Sequence, residues 1–536
     1  MATVADLIVR ALRDAGARTL FGVPGGGSNL DLIAAAGRCD LPFVLTATET
    51  AAAIAAVAQA EVTGAPGACL TTLGPGATSV VNGVACAFLE AAPLVVFTDS
   101  HPSTSAVAFA HQRIDHSALM KSVAKSSMTL TVENARQVMT DALRVAVDGR
   151  PGPVHVDCPG DVAGAPTATT GPSFPTLTNA QLTPADRARL EALLSRSRKP
   201  LAIVGLGFGL GPGAGSSPFC SFCRTRRVPA LMTYKAKGVI PDYDPWFAGV
   251  FTNAAIEEPI VEESDLLIGM GLDPVELIPR SWTRRQPIIY FGRWQVEESH
   301  VPFVVQVIGD PSEQLALLDT TLTGSEWEIS TVARHVQAQH DRVARRDDTG
   351  FTAQRVVEVG ARRFSSPPAR VTVDAGAHMF PVTALWPVCQ PRQMLISNGL
   401  STMGFALPAA IGAALLDRRS PVVALTGDGG LLMCLGELLT AAREGLRIVT
   451  IVFSDGSLSL IEIKQQARQL PPAGVALGGI DWVSLANGFG VPAWPARDEH
   501  ELDGAIDAAL AADGPAVIEA RIDRHNYGAT LRAVRG

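Results

Sequence analysis

Short apolar runs alternate with helix-period stretches along almost the whole chain. "PFVLTA" leads into "ETAAAIAAVAQAEVTG", "GACLTT" leads into "GATSVVNGVACAFLEA", and "PLVVFTD" follows. Strand-length runs without polar alternation predict strands buried on both faces, and the helical stretches between them predict crossovers in parallel sheets. Residues 1–22 read as one amphipathic helix with interspersed charges, not a signal peptide. Around 159–185 the pattern dissolves into Pro, Thr and Gly, a linker composition. A second set of runs ("PLAIVGLGFG", "VPALMT", "DLLIGMGL", "PIIYFG", "VVQVIGD") ends in a polar, charged stretch near 332–351. A third set ("ARVTVDAGA", "MLISNG", "VVALTGDGG", "IVTIVFSDG", "PAVIEARID") completes the chain. The expected fold is α/β: three doubly wound parallel-sheet domains at 1–165, 186–330 and 351–536, with linkers at 166–185 and 331–350.

Composition narrows the class. The chain has 536 residues, 47% of them hydrophobic and 18% charged, with a net charge of -8. Charge below the usual ~25% suggests covered surface, most simply by self-association. The negative balance gives no reason to expect nucleic acid, and no stretch reaches the ~18 apolar residues of a membrane span. The eight cysteines read as buried small side chains in a reducing compartment, so the cytoplasm is expected. The single C-x-x-C, Cys220 to Cys223, has no second pair to complete a zinc site.

"IVGLGFGLGPGAG" puts glycines after a strand, as nucleotide-binding turns do. The register fails, because Gly205 and Gly207 would need a third glycine where Leu210 stands, and no acid lies about 20 residues on. A flavin (FAD) is therefore a cofactor alternative that the motif does not support.

"VVALTGDGGLLMC" sets one carboxylate, Asp428, among Gly427, Gly429 and Gly430 at the end of a buried strand. In open α/β sheets ligands bind beyond the carboxyl ends of the strands. Glycines let backbone amides approach a phosphate, and a following helix adds positive potential. A lone carboxylate there repels phosphate unless a divalent cation intervenes, and magnesium takes one or two carboxylates plus substrate phosphates. The next strand end supplies the second acid: Asp455, in "RIVTIVFSDGSLSL", lies twenty-seven residues on, about one crossover away. Either acid alone reads as an ordinary Asp-Gly turn. Together, at that spacing, they point to a metal–phosphate site.

"GDGG" followed some thirty residues later by "SDGS" resembles the diphosphate motif of thiamine diphosphate enzymes, with Ser454-Asp455 where that family more often has Asn-Asn. The resemblance implies Mg²⁺ held by Asp428, Asp455 and the backbone carbonyl of Ser457, with Gly427, Gly429, Gly430 and Leu458 around the cofactor. It also implies a glutamate from another domain, Glu49, hydrogen-bonded to the aminopyrimidine ring, and Met403 as the apolar wedge under the cofactor's bend. Ser401, whose carbonyl accepts from the ring, stands where the family usually has Gly. "PGGGSN" with Pro24 and Gly25, "TTLGPGATS" with Gly74, and "DAGAH" with Ala377 and His378 also match cofactor-binding stretches. The likeness spans the chain as pyrimidine-binding, central and diphosphate-binding domains, and implies a homodimer or homotetramer with its site between subunits.

Overall the chain is most similar to the acetohydroxyacid (acetolactate) synthase branch. "HQRIDHSALMKSVAK" resembles that branch's substrate-approach segment, with Gln112 matching its glutamine and His111 where Phe is usual. Departures are the missing arginine in "GMGLDPVELIP" and Lys464 at the place of a pocket tryptophan. "PGGGSN" leans toward benzoylformate decarboxylase. Lys464 reads either as a solvated helix residue or as a ligand for a substrate carboxylate. His111 and His116 read as proton shuttles or as loop histidines without a task. The implied activity is carboligation or decarboxylation of a 2-oxo acid or aldehyde donor. The alternatives are a benzoylformate decarboxylase-type enzyme or a flavin-dependent oxidase. A non-catalytic protein would have no need of Glu49, Asp428 and Asp455 together.

Overall fold

The chain folds around three six-stranded parallel sheets. The structure, a computed structural model, describes residues 2–104, 109–167, 182–208, 216–297, 299–344 and 350–536. Leu20–Val23 (β1), Phe43–Leu45 (β2), Gly67–Thr71 (β3), Leu94–Ser100 (β4), Ser126–Thr129 (β5) and Pro153–Pro159 (β6) pair in the order β2-β1-β3-β4-β6-β5. The central sheet joins Pro200–Val204 (β7), Ala230–Met232 (β8), Phe247–Val250 (β9), Leu266–Met270 (β10), Ile288–Gly292 (β11) and Phe303–Ile308 (β12) as β12-β11-β10-β7-β8-β9. The C-terminal sheet joins Arg370–Val373 (β13), Met394–Ile396 (β14), Val422–Gly427 (β15), Ile448–Ser454 (β16), Ala493–Ala496 (β17) and Ala516–Arg521 (β18) as β14-β13-β15-β16-β18-β17. The first and third sheets are wound identically, and the central one is not. Strand order reverses between β1 and β3, between β13 and β15, and between β7 and β10, and a crevice for a ligand opens at such a switch point.

Two elements differ from the sequence reading. The N-terminal helix is Val4–Asp14, closed at its start by a Thr3–Asp6 capping box. Gly16 at φ +97° ends it, and the following "LFGV" enters the sheet as β1 between β2 and β3. The stretch read as a linker at 331–350 is mostly helical, Ile329–Val343. Val332, His335 and Val343 bury one face of this helix while the other is solvated, which is why its sequence looks like a polar connector. Residues 345–349, and 168–181 of the earlier linker, lie outside the described residues.

The alanine-rich helix Glu49–Thr63 has no polar face because it packs on both sides. It lies against Ala406–Leu416 so closely that a Cβ on Gly412 would stand 2.2 Å from the Ala55 carbonyl. A Cβ on Gly83 would stand 2.5 Å from that of Ala53 on the other flank. Small side chains allow this approach, and it fastens the N-terminal sheet to the C-terminal one.

Candidate active site

The C-terminal switch point holds a cavity of about 310 Å³. Loops after β13, β14, β15 and β16 bring to it Ala377, His378, Ser401, Met403, Gly427, Asp428, Gly429, Gly430, Asp455, Ser457 and Leu458. All were singled out in the sequence. Lys464 lines the same cavity, and so do Tyr527 and Arg535, for which the sequence offered no signal.

Asp428 begins a seven-residue helix, Asp428–Cys434, that is followed by a separate one, Glu437–Arg443. Its Oδ2 accepts the amides of Asp455 at 2.9 Å and Gly456 at 2.7 Å, and Oδ1 accepts Trp482 Nε1–H at 3.0 Å. Asp455 accepts the Ser457 amide at 2.9 Å and the Ser459 hydroxyl at 2.7 Å. Burial pushes the Asp455 carboxyl up to about 6, and the negative charge of Asp428 adds to the rise. A carboxylate whose charge is disfavoured by burial and by a neighbouring acid suits a divalent cation.

Backbone forms part of the cavity wall. A Cβ on Gly429 would come within 2.5 Å of Leu458 and 3.0 Å of Met403, so the backbone itself forms the surface there. His378 is buried and stacked on Phe453, and its Nε2 has no hydrogen-bond partner among the described residues. Burial pushes the ring down to about 4 and keeps it neutral, and its Nδ1 lies 3.3 Å from where Gly427 would carry a Cβ. Ser401 adopts φ +53°, a left-handed conformation that explains why the resemblance expects glycine at this position. One organising residue escaped the sequence reading. Asp374, pushed up to about 6 by burial, accepts the amides of Ala375 and Gly404 and the Thr426 hydroxyl, joining three of the site's loops. A carboxylate ending the apolar run "ARVTVD" was the available signal.

The N-terminal switch point gathers the other group. Pro24 and Gly25 follow β1, and a Cβ on Gly25 would collide with Asp99 and Thr72. Glu49 is the first residue of its helix, behind the N-cap Thr48, and Oε1 lies 3.3 Å from where Gly76 would carry a Cβ. The buried Glu437 carboxylate, from the far end of the chain, accepts the amides of Ala47 at 3.1 Å and Thr48 at 3.0 Å and so fixes the start of this helix. Gly74 and Gln112 touch, both at positive φ. His111 is exposed, and its carbonyl accepts His101 Nε2–H at 3.0 Å. His116 is not free to shuttle protons, because it is buried with both ring nitrogens bonded. None of Pro24, Gly25, Glu49, Gly74, His111 or Gln112 lines the 310 Å³ cavity, so within one chain the two groups stay apart.

The central switch point is closed. Loops after β7 and β10 bond to each other, Gly205 N–H to Met270 O and Gly207 N–H to Gly271 O, both at 2.9 Å. Glu276 Oε2 accepts the Leu206 amide at 2.8 Å, and Trp294 lies 2.7 Å from where Gly207 would carry a Cβ. Ala91 of the N-terminal domain packs against Leu206 and Trp294, and Arg150 binds Asp273 at 2.6 Å. An acidic side chain thus occupies the Leu206 amide, which among the described residues is not free for a nucleotide phosphate. Residues 209–215 of the glycine-rich stretch, including Leu210, lie outside the described residues.

Residues 2–119 match "Thiamine pyrophosphate enzyme, N-terminal TPP binding domain", and residues 374–520 match "Thiamine pyrophosphate enzyme, C-terminal TPP binding domain". The chain is 29% identical to the acetolactate synthase isozyme 2 large subunit of Escherichia coli (strain K12), over 97% of this chain and 95% of that protein. It is 27% identical to the acetolactate synthase of Bacillus subtilis (strain 168), over 97% and 93%. With the probable acetolactate synthase large subunit of Methanocaldococcus jannaschii it shares 28% over 97% and 92%. Matches to the two cofactor-binding domains at either end, and to these large subunits along nearly everything between, leave one assignment: the chain belongs to the thiamine diphosphate-dependent enzymes.

Proposed function

We propose that the protein is a magnesium- and thiamine diphosphate-dependent carboligase of acetolactate synthase type acting on 2-oxo acids. A decarboxylase of benzoylformate decarboxylase type is the second reading, favoured only by the "PGGGSN" opening. The observation that carries the first is the pair of buried Asp428 and half-buried Asp455 at a glycine-walled crevice, in a chain alike to acetolactate synthases over nearly its whole length.

Asp428, Asp455 and the Ser457 carbonyl would hold Mg²⁺ against the diphosphate, with Gly427, Gly429, Gly430 and His378 along it. When bound, thiamine diphosphate would supply a nucleophilic ring carbon and a sink for the electron pair released on decarboxylation. Glu49 exchanges a proton with the aminopyrimidine ring nitrogen through its carboxylate. The Ser401 carbonyl would accept from the ring's amino group, and Met403 would support the cofactor as an apolar wedge. Gln112 and His111 line the approach of the second carbonyl substrate. Lys464, exposed at the cavity wall, binds a substrate carboxylate.

A complete site then needs the partner subunit's Glu49, so the working form is a homodimer or homotetramer. Exposed Leu432, Met433 and Leu439, on the two helices that follow Asp428, are apolar surface for a second copy to cover. The closed central crevice disfavours the flavin-dependent oxidase. No described helix is long and apolar enough to cross a membrane. Eight free thiols fit the cytoplasm.

The test is a panel of 2-oxo acids and aldehydes with Mg²⁺ and cofactor, followed by product analysis. Hydroxy-keto condensation products are expected. Aldehyde alone would favour the decarboxylase, and no turnover of any 2-oxo acid would defeat both.

A further inference from the structure

His116 has no task in the reaction above, and its surroundings supply one. Among the described residues, His116, His155 and Asp157 are the group whose metal-ligating atoms lie within 4.8 Å of one another. Each of those atoms already has a hydrogen-bond partner, so the trio is a hydrogen-bond chain and not a metal centre. Asp157 Oδ1 accepts the Thr98 hydroxyl at 2.6 Å and lies 2.7 Å from His116 Nδ1. A carboxylate accepts, so the proton is on Nδ1. The Gly74 amide donates to His116 Nε2 at 3.2 Å, so Nε2 is bare. A single neutral tautomer satisfies both partners.

His155 extends the chain. Its Nε2 lies 2.8 Å from Thr98 Oγ1, and its Nδ1 lies 2.7 Å from Ser127 Oγ. The one hydroxyl proton of Thr98 goes to Asp157, so His155 donates to Thr98 through Nε2–H and accepts from Ser127 through Nδ1. Burial pushes this ring down to about 4 and keeps it neutral. Polar groups from β4, β5, β6 and the helix His116–Met120 thus converge on one backbone amide, that of Gly74.

That amide is where the chain turns at φ +62° out of β3. A Cβ on Gly74 would meet the Gln112 carbonyl at 2.8 Å and the Gln112 Cβ at 3.0 Å, so Gln112 rests on it directly. Gln112, at φ +55°, is held from the other side by the His101–His111 bond.

We propose that His116 is a positioning residue: as its Nδ1–H tautomer, set by Asp157, it holds Gly74 and thereby the wall on which Gln112 stands. The proposal rests on the functional reading above, in which Gly74 and Gln112 face cofactor and substrate.

His116→Gln places an amide oxygen near the reach of Nε2 and retains an acceptor for Gly74, whereas His116→Asn reaches only as far as Nδ1. In the magnesium-loaded oligomer, thiamine diphosphate affinity is read by tryptophan fluorescence, and KM and kcat with the 2-oxo acid that the panel selects. Asparagine is expected to weaken cofactor affinity and raise KM by about tenfold each, the scale of one lost buried hydrogen bond, with kcat changed less. Glutamine is expected to remain within about threefold of wild type. Equal losses in both variants, or lowered melting temperatures with unchanged affinity and KM, would overturn the role. An ¹⁵N-histidine spectrum of the wild type gives an answer even if the variants misfold. A His116 signal of the Nε2–H tautomer refutes the proposal, and one of the Nδ1–H tautomer supports it. Absence of saturable cofactor binding in the wild type would instead defeat the functional reading on which the proposal stands.

Discussion

Replacing Glu276 with glutamine tests whether the central crevice is closed by a neutral acid. Glu276 is buried, and burial pushes its carboxyl from the ordinary 4.5 up to about 8. A folded-state pKa above the unfolded one means that the native chain binds more protons between those values, so stability falls as pH rises through that window. At about 1.4 kcal/mol per pKa unit, the wild type loses about 3 kcal/mol between pH 5 and pH 8. Glutamine is the isostere of the protonated form: its oxygen continues to accept the Leu206 amide, bonded at 2.8 Å in the wild type, and it does not titrate. The variant should therefore resemble wild type near pH 5 and melt higher at pH 8. With unfolding entropy of about 2.1 cal/mol/K per residue, the gap at pH 8 is about 3 °C if all 536 residues unfold together, and larger if the central domain unfolds alone. The assay is the melting temperature of both proteins from pH 5 to pH 8.5. A gap that stays constant across that range, or that favours the wild type at high pH, would refute the reasoning.

Glu49→Gln should leave thiamine diphosphate binding intact, read by fluorescence titration, while turnover falls by orders of magnitude; near-normal turnover would remove the proton role. Asp455→Ala should weaken magnesium-dependent cofactor binding itself, so that cofactor is lost on gel filtration, since one of two carboxylates leaves the site. Lys464→Ala should raise KM for 2-oxo acids about tenfold with little change in kcat, and an unchanged KM would leave the lysine a solvated residue. With the central crevice filled by Glu276 and Trp294, the purified protein should lack flavin absorbance near 450 nm; a stoichiometric yellow chromophore would show that the closed crevice opens.

The C-terminal half of the site was legible because it is local in sequence. Each of its residues lies within a few positions of a strand end, where an apolar run stops at glycine and an acid. One strand–crossover spacing was enough to pair Asp428 with Asp455. Asp374 showed only as a carboxylate ending an apolar run and Glu437 not at all, since their roles are to accept amides from segments about 30 and 390 residues away. Nothing in "VDAG" or "LGEL" names those partners. His116 was visible as a residue type, but its task depends on Asp157, forty-one positions on, and on an amide, which has no letter in the sequence.

The three α/β domains are not equivalent in three dimensions. Sheets one and three share a winding, so each has its switch point at the equivalent place, after β1 and β3 in one and β13 and β15 in the other, and the cavity lies at the second. The central sheet, in another order, has its crevice filled by Glu276 and Trp294 and by contacts to the N-terminal domain. Glu49 and Asp428 thus belong to equivalent ends of two like sheets that one chain holds side by side through the Glu49–Thr63 and Ala406–Leu416 helices, yet the Asp428 cavity omits Glu49. In the proposed mechanism one cofactor must reach both, so the half-site at the C-terminal crevice calls for the N-terminal crevice of a second copy. The same geometry in reverse serves that copy. A twofold pairing satisfies both at once, and within each chain Glu437, just beyond the Asp428 helix, fixes the start of the helix bearing Glu49 through hydrogen bonds.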